Sequence, residues 1–161
     1  MAIWKPTKAA HFIFRLLAQA LKPYKMGAEV MPLSEPNPPR FDCSELVQWG
    51  LAQAGITEIA NDAGTKTPIN LFDGAGNQYQ ACAHIPLDDV AKTVGALLFI
   101  RSHTNYPTKP DGIGHVAVSL GNGYLIEARG KDYGVVIGLV RSTFNLGGKV
   151  RELYVPLEEI P

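Results

Sequence analysis

Apolar residues recur along the first stretch of the chain at Ala9, Phe12, Ile13, Leu16, Leu17, Ala20 and Leu21, the three-four spacing of one helical face. An amphipathic helix is expected there, capped by Thr7 and stopped by Pro23, with His11 and Arg15 on the solvated side. Residues 22–27 turn the chain. The next segment, 28–40, holds Pro32, Pro36, Pro38 and Pro39 and shows neither helical nor strand period. It reads as a stiff extended connection that either walls a cleft or simply crosses the surface. A second helix follows at once, from Cys43 to about Ala54. Asp42 is a good N-cap, Glu45 fits a reciprocal capping box, and Phe41 with Leu46 fits a hydrophobic staple. At the far end Gly55 suits the left-handed position and Ile56 can pack back on Leu51.

The second half changes period. After a polar stretch, Thr67-Pro68 is expected to open a short helix to about Phe72, and Asp73, Gly74, Gly76 and Asn77 to form the loop that ends it. Cys82 reads as a core residue, and Cys82 with His84 supplies too few ligands for a metal. Residues 96–101, 113–120, 124–128, 134–140 and 150–155 read as strands, with Gly121-Asn122-Gly123 as the hairpin turn and 102–112, which includes His103, as a polar loop. Helices first and strands later predict an α+β fold, N-terminal helices packed on an antiparallel sheet of about five strands.

Composition narrows the possibilities. A chain of 161 residues, 46% apolar, fits one domain able to bury its own core, read as residues 1–161 with an N-terminal helix over 1–23 and a core over 24–161. The formal net charge of +0 gives no electrostatic ground for a nucleic-acid partner. No apolar run is long enough for membrane insertion. Two cysteines make no disulfide framework, and no cofactor or metal motif is present. The apolar N-terminal stretch is broken by His11 and Arg15 without a small-residue cleavage site, so no signal peptide is expected. Oligomeric state is left open.

Cys43 carries the chemistry. In the first turn it meets unpaired N–H groups and the positive end of the helix dipole, which favour thiolate over thiol. Asp42 and Glu45 act against that, so an imidazole partner is expected. The alternative is a small buried apolar side chain. His115 alternates with Ala117 and Ser119 on one strand face, while Val116, Val118 and Leu120 take the core face. The turn length then selects its neighbour. A two-residue loop sets Val118 opposite Glu127. A three-residue loop through Gly121, Asn122 and Gly123 sets Ala117 opposite Glu127, placing Glu127 diagonal to His115 at roughly 7 to 8 Å. The chemistry prefers the longer turn, with Glu127 fixing the imidazole's orientation and tautomer. Otherwise Glu127 is a strand carboxylate paired with Arg129, Lys131 or water.

With both halves in view, the chain resembles the NlpC/P60 family of cysteine peptidases, which cut peptide stems in bacterial cell walls. Asp42-Cys43-Ser44-x-Leu46-Val47 is similar to that family's Asp-Cys-Ser-Gly-Leu-Val helix start. Gly95-Ala96-Leu97-Leu98-Phe99 is similar to its Gly-Asp-Leu-Leu-Phe strand, and Gly114-His115-Val116-Ala117-Val118 to its histidine hairpin. The likeness runs from about residue 24 to residue 137. It implies a papain-like α+β fold with Cys43 as nucleophile, His115 as base and Glu127 in a third position that is often histidine in relatives. It also implies Tyr24 as the tyrosine lining the site, on the substrate or oxyanion side together with Ser44. Glu45 stands where glycine is usual, Ala96 replaces a common aspartate and Met26 a tryptophan. The activity implied is an endopeptidase acting on peptidoglycan stem peptides, typically at the γ-D-glutamyl to diamino-acid bond. Such a protein would reach the wall through a phage particle or a secretion system, or act in the cytoplasm on wall fragments. The rival readings are a CHAP-like N-acetylmuramoyl-L-alanine amidase, a thiol acyltransferase, and a non-catalytic wall-binding or phage tail module.

Overall fold

The computed structural model describes residues 7–155; the first six and last six residues of the expected domain lie outside that span. The N-terminal stripe forms helix α1, Lys8–Leu17, which buries Ala9, Phe12 and Leu16. Thr7 occupies the N-cap position without a side-chain capping bond. The helix ends well before Pro23. Leu21 takes a φ of 72° and donates its N–H to the Val135 carbonyl, which turns it out of the stripe and leaves it 86% exposed. Helix α2, Cys43–Gln53, is buried along most of its length. The two helices touch at Gly50, where an added Cβ would lie 2.7 Å from Leu16 and 2.8 Å from Phe12. A larger residue there would force them apart.

The ends of α2 form as their residues dictate. Asp42 accepts from the Glu45 N–H at 2.8 Å. Gly55 has a φ of 83°. Gly55 N–H donates to Ala52 and Ile56 N–H to Leu51, each at 3.0 Å, the paired bonds of a Schellman ending.

Between α2 and the main sheet the structure departs from the expected pattern. Strands β1, Glu58–Ala60, and β2, Lys66–Pro68, form a small antiparallel hairpin in the stretch read as polar loop. The expected helix after Pro68 is a single 3-10 turn, Ile69–Leu71. The expected Gly-Asn loop is helix α3, Ala75–Ala81. Gly76 sits inside it because a Cβ would collide with the Asp111 carboxylate, so this glycine marks a close approach rather than a break.

The main sheet has six strands, one more than expected. Strand β3 is Ala83–His84, followed by the short helix α4, Leu87–Val90; the others are β4, Leu97–Arg101, β5, Ile113–Gly121, β6, Tyr124–Ala128, β7, Val135–Leu139, and β8, Leu146–Lys149. Their order is β3-β8-β4-β5-β6-β7, and every paired neighbour runs antiparallel. The strand expected at 150–155 is instead a 3-10 turn, Arg151–Tyr154, and its place is taken by β8. Glycines hid β8: a Cβ on Gly147 would sit 2.5 Å from Val90, and one on Gly148 would sit 2.6 Å from the Cys82 sulfur. Cys82 is itself core, 1% exposed.

One sheet face packs Leu97, Phe99, Val116, Val118 and Ile126 against α1 and α2. The other carries Leu98, Ile100, Ala117 and Leu125 beneath Val90 and Phe144. His115 pairs with Ile100 across β4–β5, so it projects on this second face. That face is covered rather than open.

Candidate active site

The start of α2 is braced from three sides. The Asp42 carboxylate accepts from Glu45 N–H at 2.8 Å and from the Ser44 hydroxyl at 3.2 Å. Gln78 of α3 donates to the Ser44 carbonyl at 2.8 Å and to the Phe72 carbonyl at 3.0 Å. Glu45 does not complete a reciprocal capping box. Its Oε1 accepts from the Val30 N–H at 2.8 Å, fastening the proline-rich segment to the helix. Two further rungs follow at helical spacing: Trp49 donates to the Glu35 carbonyl at 2.7 Å and Gln53 to the Leu33 carbonyl at 2.9 Å. Glu45 is 6% exposed. Burial, then the nearby carboxylates of Asp42, Glu29 and Asp73, outweigh the Val30 bond and push its carboxyl up to about 7.

The histidine hairpin reaches the expected register by a different turn. Gly121 pairs with Tyr124 around a two-residue Asn122-Gly123 loop, whereas a three-residue loop had been expected. Asn122 and Gly123 both have positive φ, 53° and 78°, as a type I′ turn requires. Leu120 then bulges out of the ladder, and the Ser119 hydroxyl accepts from Gly121 N–H at 3.1 Å beside it. Past the bulge, Val118 faces Ile126 and Ser119 faces Leu125. That register sets Ala117 level with Glu127, so Glu127 and His115 share a face.

His115 Nε2 lies 3.5 Å from Glu127 Oε1, with side chains 12% and 0% exposed. No partner of that nitrogen meets hydrogen-bond geometry, so the contact is an ion pair rather than a formed hydrogen bond. Burial disfavours the imidazolium, but hydrogen bonding and charge from the adjacent Cys43 sulfur, together with the Glu127 carboxylate, outweigh it and push the ring up to about 9. Burial likewise opposes the charge on Glu127, and His115 with Arg141 overcomes that, holding the carboxyl below its ordinary value.

Three side chains that local patterns did not single out complete the site. Arg141, in the connection between β7 and β8, donates Nη1 to Glu127 Oε2 at 3.0 Å and Nη2 to Oε1 at 2.7 Å. The Phe144 ring stands 5.9 Å from the His115 ring. Tyr106, from the loop at 102–112, covers Gly114, whose added Cβ would collide with its ring. Glycine next to a strand histidine was the one available hint of that approach.

Tyr24 is held beside the helix start by a parallel bridge to Phe41, with Lys25 N–H donating to the Phe41 carbonyl at 3.0 Å. Its hydroxyl donates to Met26 Sδ at 3.6 Å. Burial, then Cys43 and Asp42, push the phenol up to about 12, so it remains a donor at neutral pH. The same causes, burial and then Cys43, raise Tyr106. Between these tyrosines opens a cleft of about 540 Å³ that Cys43, Ser44 and Gly114 line. Glu29, Glu45 and Asp73 give it an acidic side. Thus Cys43, His115, Glu127 and Tyr24 come together, and Ser44 lines the cleft with its hydroxyl committed to Asp42. Among the described residues no three His, Cys, Asp or Glu side chains gather in a metal-holding group.

A model of the NlpC/P60 family matches residues 21–147 of the sequence. The chain belongs to the NlpC/P60 family. The matched span contains all five candidate residues together with Tyr106, Arg141 and Phe144, while α1 precedes it. The peptidoglycan endopeptidase RipB of Mycobacterium tuberculosis is 33% identical over 101 residues, covering 63% of this chain and 32% of the relative. This chain therefore spans about a third of that curated relative. The solved structure of RipB superposes with a TM-score of 0.64 at 27% identity, over 89% of this chain and 64% of the other. The P60 domain of an antigen from M. avium subspecies paratuberculosis gives 0.63 at 27% identity, over 89% and 94%. The NlpC/P60 fold here is thus the mixed helix and antiparallel sheet arrangement, with six strands in the main sheet.

Proposed function

We propose that the chain is a cysteine endopeptidase that hydrolyses an amide bond in peptidoglycan stem peptides, of the γ-D-glutamyl to diamino-acid type. The described residues act as one catalytic domain, with α1 bracing the nucleophile helix. The observation that carries this reading is the meeting of Cys43, at the mouth of α2, with His115, whose Nε2 faces Glu127 at 3.5 Å. A nucleophile, a base and an acceptor that orients the base make up the minimum set for acyl transfer.

The Cys43 sulfur attacks the carbonyl carbon while His115, as imidazolium, holds the thiolate. The ring then gives its proton to the leaving amine, and the acyl group stays on sulfur. Water, deprotonated by the now neutral ring, attacks that thioester; the carbon–sulfur bond breaks, the new carboxyl group leaves, and the thiolate–imidazolium pair is restored. Glu127 keeps the ring oriented and stabilises its charged form. Tyr24 presents a protonated phenol to the developing oxyanion, and Ser44 shapes the substrate side of the cleft. The acidic side of the cleft suits a substrate that carries amino groups, as a diamino-acid stem does.

Digestion of purified sacculi tests the reading. The wild-type chain should release muropeptides, Cys43→Ala should release none, and mass spectrometry of the products should show a cut inside the stem. Equal release by both proteins would overturn the peptidase reading, and a cut between sugar and peptide would overturn the bond assigned.

A further inference from the structure

Four side chains close a ring around the base. The Arg141 fork holds both Glu127 oxygens, its guanidinium lies 5.0 Å from the Phe144 ring centre, Phe144 packs on His115, and His115 Nε2 returns to Glu127 Oε1. The contacts are unequal. Glu127 Oε1 is 2.7 Å from Arg141 and 3.5 Å from His115, so the arginine is the carboxylate's principal partner. Two parallel N–H···O bonds fix the plane of a carboxylate as well as its charge. A carboxylate buried to 0% exposure with one imidazole for company would take up a proton or swing away.

We propose that Arg141 is a positioning residue for the catalytic base, keeping Glu127 ionised and in plane and thereby holding the His115 ring against Cys43. The inference rests on reading Cys43, His115 and Glu127 as the catalytic set. The other charged or titratable groups at this spot are Tyr106, from the loop over Gly114, and Arg129, whose Nε lies 3.9 Å from Glu127 Oε1. Arg129 does not replace the fork. It approaches with one nitrogen, is 37% exposed, and stacks 4.3 Å from the Tyr133 ring centre.

The test follows the His115 ring by NMR across pH in the full chain, beside iodoacetamide labelling of Cys43 read by peptide mass. The wild-type midpoint should fall near 9. Arg141→Gln should lower it by about 1 unit and slow labelling at neutral pH several-fold. Arg141→Lys, which keeps the charge and loses the fork, should hold the midpoint and still slow labelling. In a Glu127→Gln background neither Arg141 variant should have any further effect, because the arginine acts through that carboxylate. A midpoint that stays or rises in Arg141→Gln, or an effect that persists without Glu127, would overturn the proposal. Should Arg141→Gln fail to fold, the lysine variant in the two backgrounds decides through its labelling rate alone. Neither readout needs a peptidoglycan substrate. If His115→Ala leaves Cys43 labelling unchanged, the catalytic set itself falls; if His115 matters and Arg141 does not, only this inference falls.

Discussion

His115 Nε2 stands 3.5 Å from Glu127 Oε1 across the β5–β6 ladder, and the charge on each stabilises the charge on the other. The consequence for stability has a definite sign. The folded imidazole is raised to about 9 from its ordinary 6.5, so its contribution is complete below about 6.5 and is lost as pH rises through 9. Urea unfolding from pH 6 to 9.5 should therefore show a fall in wild-type stability that His115→Asn flattens. A fall of equal size in both proteins would count against the ion pair.

Glu45 predicts a second pH effect on the same helix. Its folded carboxyl is raised to about 7 from 4.5, chiefly by burial. The stability linked to its protonated form is present below 4.5 and lost as pH rises through 7. Glutamine keeps an oxygen for the Val30 N–H and carries no charge. Glu45→Gln should thus stabilise the chain at pH 8 by on the order of 1–2 kcal/mol and change little at pH 4.5. Denaturant titrations at the two pH values check this; a gain of the same size at both would show that the carboxyl's charge is not the cause.

What could be read in the sequence was local. Asp42, Gly55 and Ile56 set the ends of α2 through bonds spanning three to five residues, and each of those bonds is present. The histidine hairpin was legible for the same reason, although its register comes from the Leu120 bulge and not from a longer loop. Residues that meet only through the fold were silent. Arg141 reaches Glu127 across 14 positions, and Gln78 reaches Ser44 across 34. Glycines were uninformative for a related reason: Gly76 reads as part of a loop, yet Gly76, Gly147 and Gly148 all mark close packing against neighbours that the sequence does not reveal.

Gly148 gives a packing test of that point. A methyl group there would meet the Cys82 sulfur at 2.6 Å and Phe99 at 3.0 Å. Gly148→Ala should cost about 1–3 kcal/mol, as overpacking of a core does. Thermal unfolding measures it, and an unchanged midpoint would mean that β8 lies farther from β3 and β4 than described.

Gly114 offers the sharpest test of the Tyr106 contact, because two substitutions there should cancel in part. A methyl group on Gly114 collides with the Tyr106 ring, so Gly114→Ala should cost about 1–3 kcal/mol and displace the 102–112 loop from the cleft. Tyr106→Ala alone loses the ring's burial but leaves Gly114 unstrained. In the double variant the added methyl occupies space the ring has vacated, so its cost should largely vanish. The cycle should therefore give a coupling of at least about 1 kcal/mol, favouring the double variant over the sum of the singles. Strictly additive costs would place the ring away from Gly114 in solution and remove Tyr106 from the wall of the cleft.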